Sequence, residues 1–210
     1  MDDTDVYWQE FYSNNSPKKP PLLPSQFAAF VSNDISRNAF VVDVGCGNGR
    51  DALYFGRHGF SVVGIDRSEN AIAVCSANAP KSCSFQCHDL QTLELEKYIP
   101  PSFDPERDSL VIYSRFFLHA INRDLQSVFI QKIASIGHLK PTVYLEFRSD
   151  RDADRLKVTP EHYRRYVDLP EFESDAAKFG LEFSYKVVGT GFAKYLDDDA
   201  YVARYILNCR

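Results

Sequence analysis

The sequence predicts a doubly wound α/β domain. It should be a mostly parallel, seven-stranded sheet with helices on both faces and an antiparallel C-terminal hairpin at one edge. Three observations carry this. Short apolar runs alternate with helical patterns five times, which predicts a parallel sheet covered by helices. The first run, Phe40–Val44, leads into a glycine turn, Gly45–Gly49, that opens a helix. The last two apolar runs follow one another with no helix between them, which predicts an antiparallel pair.

The elements follow in order. Residues 1 to 35 read as an N-terminal cap or lid, with Tyr7, Trp8, Phe11 and Tyr12 ahead of a breaker-rich stretch and then a helix from Ser25 to Asn33. Residues 36 to 210 read as the layered core, so the 210 residues form a single domain. After the strand Phe40–Val44 comes a helix from Arg50 to His58. Ser61–Ile65 is the second strand. Ser68 caps a helix to Asn78, with Glu69 behind it. Ser82–Cys87 and Ser109–Tyr113 are the third and fourth strands, joined by the loop Pro100–Asp108. Asp124–Gly137 is a helix and Thr142–Phe147 the fifth strand. Thr159 and Pro160 open a helical stretch to Phe179, broken at Pro170. Leu181–Val188 and Ala200–Leu207 form the closing pair.

Composition bounds the function. Hydrophobic residues make up 44% and charged residues 25%, as in ordinary globular domains. The net charge of −5 lacks the basic footprint of a nucleic-acid binder. No nucleic-acid partner and no membrane partner is expected. Five cysteines, one inside the glycine turn, argue against a secreted disulfide framework and for a cytoplasmic protein. Cys83, Cys87 and His88 do not make a metal site, because no second ligand pair accompanies them.

The stretch VVDVGCGNGRDALYFGRHGFSVVGIDRS poses the functional question. In an open parallel sheet, ligands sit beyond the carboxyl ends of the strands where strand order reverses. Gly45, Gly47 and Gly49 let the backbone turn tightly and let a ligand approach. The helix that follows presents free N–H groups to an anion. Asp66, at the next strand end, can accept both hydroxyls of a ribose. Together they read as a nucleoside site. The spacing G-x-G-x-G, with Arg50 where a third glycine would stand, departs from the dinucleotide fingerprint.

Here the sequence resembles the class I S-adenosylmethionine-dependent methyltransferases, whose core is Rossmann-like. VDVGCGNGRD resembles their first motif, GIDRS the ribose-binding acid, and CHDL the Asp-Leu pair beside adenine. The resemblance implies S-adenosyl-L-methionine as cofactor. By it, Gly45, Cys46, Gly47, Asn48 and Gly49 approach the methionine part, and Asp43 orients that loop and the amino group. Asp66 with Arg67 holds the ribose, Asp89 with Leu90 the adenine, and Ser114 completes the set from the fourth strand.

The methyl acceptor should then meet residues at the ends of strands four and five. His119 in YSRFFLHAI is the candidate general base, its ordinary pKa lying near 6.5; the alternative is a histidine packed against the sheet. Glu146 stands where an apolar strand should continue, so it is the second catalytic candidate. Arg115, Arg148, His162 and Arg165 could clamp an anionic substrate, and Tyr12 could close over it. No Asn-Pro-Pro-Tyr follows strand four and no Pro-Cys pair occurs, which counts against DNA methylation. The expectation is methyl transfer to a small, anionic or sugar-linked metabolite. A protein side-chain methyltransferase and a nicotinamide-dependent oxidoreductase are the alternatives.

Overall fold

The computed structural model describes residues 23–155, 163–195 and 197–209. Seven strands form one sheet: β1 (Phe40–Val44), β2 (Ser61–Asp66), β3 (Cys83–Cys87), β4 (Leu110–Arg115), β5 (Thr142–Arg148), β6 (Leu181–Gly189) and β9 (Val202–Cys209). Their order is β3-β2-β1-β4-β5-β9-β6. The pairs from β3 to β5 are all parallel, and β9 is antiparallel to both β5 and β6. The chain thus turns back at β1, where Phe40 pairs with Ser61 on one side and Leu110 on the other. That reversal opens a crevice beyond the ends of β1 and β4.

Side-chain alternation splits the core between the two faces. On one face Val41, Val111 and Tyr113 meet α1 (Gln26–Asp34), α2 (Arg50–Arg57) and α3 (Glu69–Ala77) through Phe27, Phe55 and Cys75. On the other, Val42, Ile112 and Leu145 meet α4 (Arg123–Ser135) and α5 (Leu169–Lys178) through Phe129, Ile133 and Phe172. Ser25, Ser68, Asn122 and Asp168 cap α1, α3, α4 and α5 by accepting hydrogen bonds from backbone N–H groups of the first turn.

The predicted strands and helices are present with ends shifted by a residue or two, save in two places. As predicted, no α-helix joins β3 to β4. A 3₁₀ turn at Leu95–Tyr98 stands there, and Leu90, Leu93, Leu95 and Ile99 still fill the core. The stretch predicted as helical from Thr159 is not helical over residues 163–168, where Val167 bridges to Ser149. Residues 156–162 lie outside those described. Pro170 opens α5 instead of breaking a longer helix, because its missing N–H is unneeded in a first turn. Finally, the link between β6 and β9 carries a short ladder, β7 (Lys194–Tyr195) with β8 (Asp198–Asp199), which the sequence did not predict. The predicted cap is represented by α1, which packs into the core through Phe27, Ala28 and Val31. Among the described residues no helix is long and apolar enough to cross a membrane.

Candidate functional site

The glycine turn is built by the end of β2. Ile65 O accepts hydrogen bonds from Gly45 N at 2.8 Å and Cys46 N at 3.1 Å. One Asp66 oxygen accepts from Gly47 N and the other from Ser68 N, both at 2.9 Å. Asp66 therefore ties the turn to the start of α3, and its carboxylate keeps lone pairs for a ligand. Burial raises its pKa, and the two backbone N–H donors oppose that rise. Gly45 and Gly49 both have φ of +76°. A Cβ on Gly45 would lie 2.4 Å from the Phe117 ring, so the approach of that ring independently requires glycine.

Asp51, at the first turn of α2, was missed by the sequence reading. Its buried carboxylate accepts from Ser25 N at 2.8 Å, Ser25 Oγ at 2.7 Å and Tyr113 Oη at 2.7 Å. Arg50 donates beside it to the carbonyls of Leu23 and Pro24. The chain entering α1 is thus stitched onto the helix that follows the glycine turn. The available signal was an acid at a helix N-terminus, which the helix dipole favours.

Asp43 differs from Asp51. It is 2% exposed, yet its carboxylate accepts no hydrogen bond from a described residue. Burial holds its pKa well above the usual carboxylate range, the charges of Asp51 and Asp66 add to the rise, and Arg115 opposes it. A buried carboxylate in this condition is a site for a positively charged donor.

Two chambers open here. The smaller is walled by Val44, Ile65, Leu90, Leu93 and Phe117, with Asp66, Arg67 and Asp89 beside them. Asp89 also accepts from Gln91 N at 2.7 Å. The larger takes in Asp43, the residues Cys46 to Asn48, Tyr113, Arg115, His119, Arg148, Tyr195 and Asp198. Gly45 and Phe116 line both. Phe116 has φ of +57°, uncommon for a bulky residue. Its N–H donates to Glu146 O at 2.7 Å, and the Arg115 guanidinium lies 4.0 Å from its ring centre. The ring at the junction is held from both sides.

The predicted residues divide accordingly. Asp43, Asp66, Asp89, Leu90, Arg67 and the turn residues come together around the chambers, Gly49 standing just behind them as the residue capping α2. Ser114 lies beneath, donating from Oγ to Val44 O at 2.8 Å and fastening β4 to β1. Glu146 is 1% exposed and accepts from Arg115 Nε at 2.8 Å and Arg204 Nε at 2.6 Å, so both its oxygens are engaged. Arg148 lines the larger chamber, but its two terminal nitrogens donate to Asp152 and Asp198 at 2.6 Å each. Arg165 donates to Leu118 O, Ile121 O and Gln126 Oε1, bracing the loop after β4. His119 Nδ1 accepts the Arg148 N–H at 3.2 Å. The neutral ring then carries its proton on Nε2, with the Nδ1 lone pair engaged by the Arg148 N–H. Tyr12 and His162 lie outside the described residues. Asp198, from β8, was not foreseen: Oδ2 holds Arg148, while Oδ1 is buried without a hydrogen-bond partner among the described residues.

Comparison with known proteins agrees with this fold. Residues 41–141 match a family model described as a methyltransferase domain. The chain is similar in fold to magnesium protoporphyrin IX methyltransferase of Synechocystis with bound S-adenosylmethionine, at TM-score 0.68, 15% identity and coverage of 100% of this chain and 98% of that one. An S-adenosylmethionine-dependent methyltransferase of Anabaena variabilis gives TM-score 0.69, 17% identity and coverage of 100% and 96%. A TehB-like S-adenosylmethionine-dependent methyltransferase of Corynebacterium glutamicum gives 0.62, 14%, and 99% and 98%. No curated protein matches by sequence.

Proposed function

We propose that this chain, a class I S-adenosylmethionine-dependent methyltransferase by its domain and its fold, methylates a small molecule held in the larger chamber. The observation that carries this reading is Asp43, a buried carboxylate beside the glycine turn without a hydrogen bond among the described residues. The cofactor supplies a methyl group on a positively charged sulfur and brings an ammonium group of its own. An ammonium on Asp43 forms a charge-assisted hydrogen bond, worth about 1.5–3 kcal/mol. Asp66 accepts from the ribose hydroxyls while it continues to hold Gly47 and Ser68. Asp89 and Leu90 border the adenine in the smaller, mostly apolar chamber.

The chain's remaining task is alignment and exclusion of water. Gly45 and Phe116 stand where the chambers meet, so the donor methyl and the acceptor face each other across that junction. Arg115 and Glu146 fix the ring of Phe116 and the end of β4. In this reading His119 orients the end of β5 through its hydrogen bond with the Arg148 N–H and is not the base. The expected anion clamp loses its central residue, since Arg148 is already satisfied by two carboxylates. An anionic or sugar-linked acceptor thus has no support from Arg148, while Arg164 also lines the chamber.

Calorimetric titration with S-adenosylmethionine, its demethylated product and NAD tests the reading. Micromolar binding of the first two, with none for NAD, is expected. Binding of NAD alone would overturn it.

A further inference from the structure

We infer that Asp198 recognises the methyl acceptor through Oδ1, and that the acceptor presents an N–H or O–H donor to it. This rests on the proposed methyltransferase reading and adds the chemical class of the second substrate. Asp198 is 5% exposed and lines the larger chamber. Its Oδ2 takes the Arg148 Nη2 donor at 2.6 Å, which fixes the carboxylate in one orientation. Oδ1 is buried with no hydrogen bond, and buried polar atoms are ordinarily paired. Asp198 lines the larger chamber, and a donor on a ligand there is the group we assign to Oδ1.

The surroundings narrow the class further. Arg148 also donates to Asp152, so the guanidinium is held by carboxylates from two directions and offers little to an anion. The rings of Phe116, Tyr113 and Tyr195 line the same chamber. An oriented carboxylate oxygen among aromatic faces suits a small aromatic or apolar molecule that carries an amine or a hydroxyl group. The β7–β8 ladder that bears both Tyr195 and Asp198 therefore acts as the acceptor-recognition element, with Asp198 as its binding residue.

The test uses the full chain saturated with S-adenosylhomocysteine and three matched probes: 2-phenylethylamine, 2-phenylethanol and 2-phenylethyl methyl ether. Binding is read by calorimetry or ligand-observed NMR. At least one donor-bearing probe is expected to bind about tenfold or more tighter than the ether. Amine binding alone would identify a cationic donor, alcohol binding alone a hydroxyl, and binding of both the shared hydrogen bond. In Asp198→Asn the side-chain oxygen can still hold Arg148, while an NH₂ group replaces Oδ1. That variant should keep its S-adenosylhomocysteine affinity and bind all three probes within about twofold of each other. Equal binding of the ether by the wild type overturns the inference without recourse to any variant. So does a preference that survives Asp198→Asn, or failure of every probe while S-adenosylhomocysteine binds. Failure of S-adenosylhomocysteine itself would overturn the methyltransferase reading instead, and this inference with it.

Discussion

Substituting Gly45 by alanine isolates the geometric demand at the junction of the chambers. The added Cβ would lie 2.4 Å from Phe117 Cδ2, 2.7 Å from Cγ and 2.9 Å from Cβ. Phe117 cannot swing aside freely, because its ring packs edge-on against Phe129 with centroids 5.6 Å apart. The backbone must also hold φ of +76° with a side chain attached, which costs about 1–2 kcal/mol. Crowding of a packed site adds about 1–3 kcal/mol. The sum is about 2–5 kcal/mol, or a fall of roughly 4–20 °C in Tm for a chain of this size. Gly59 supplies the control. Its φ is +94°, yet nothing lies within 4 Å of the Cβ it would gain. Gly59→Ala should therefore carry only the backbone term of about 1–2 kcal/mol. Urea unfolding of both variants measures the difference, and calorimetry with S-adenosylmethionine measures its consequence. Gly45→Ala should lose cofactor affinity and Gly59→Ala should not. Equal destabilisation by the two would refute the crowding argument, and unchanged affinity in Gly45→Ala would refute the placement of the cofactor at this turn.

Asp43→Asn should raise the Tm of the ligand-free protein at pH 7 and weaken S-adenosylmethionine binding. A carboxyl whose pKa is raised in the folded state destabilises that state when ionised, and the penalty fades as pH falls through the raised pKa. The stability gained by the variant should accordingly shrink in acid, and thermal scans from pH 7 to pH 4 would show it; a constant gain would contradict the burial argument. Glu146→Gln should destabilise the fold by about 3 kcal/mol or more, because Arg115 and Arg204 would lose a buried carboxylate. Denaturation separates that structural loss from a purely catalytic one, which would leave the unfolding midpoint in place. His119→Asn should reduce the single-turnover methyl-transfer rate by less than about tenfold, whereas removal of a general base would cost about 10²–10⁴-fold. A loss in the larger range would restore His119 as the base.

Much of the fold was legible because the apolar periodicity is unmixed. VVDV and SVVGI are short, β-branched and bounded by turn residues, so they could only be buried strands. The helix start at Ser68 was equally clear, since a serine followed by an acid is a capping signal. Around Pro170 the signal was ambiguous, because a proline reads both as a break within a helix and as its first turn. The glycine turn and the acid beyond it were legible for a related reason. A glycine forced by φ and an acid at a strand end are local requirements, and local requirements leave a mark at fixed spacing.

The acceptor side left no such mark. Glu146 and Arg148 were picked out as charges where an apolar strand should continue, and Arg165 as a member of an anion clamp; burial required partners for all three. Which partners they found could not be read along the chain: Arg204 for Glu146, Asp198 for Arg148, and the Gln126 side chain for Arg165. Each comes from a distant element, and pairing across such distances depends on how β9 inserts between β5 and β6 and how the β7–β8 ladder folds over the strand ends. The sequence by itself determined a parallel sheet, its glycine turn and the acids at the strand ends beside it, because these follow from periodicity and backbone geometry. Only the tertiary structure decided which charges are paired in the core and which buried oxygen is left without a partner among the described residues, because a buried charge takes its role from whatever the fold sets beside it.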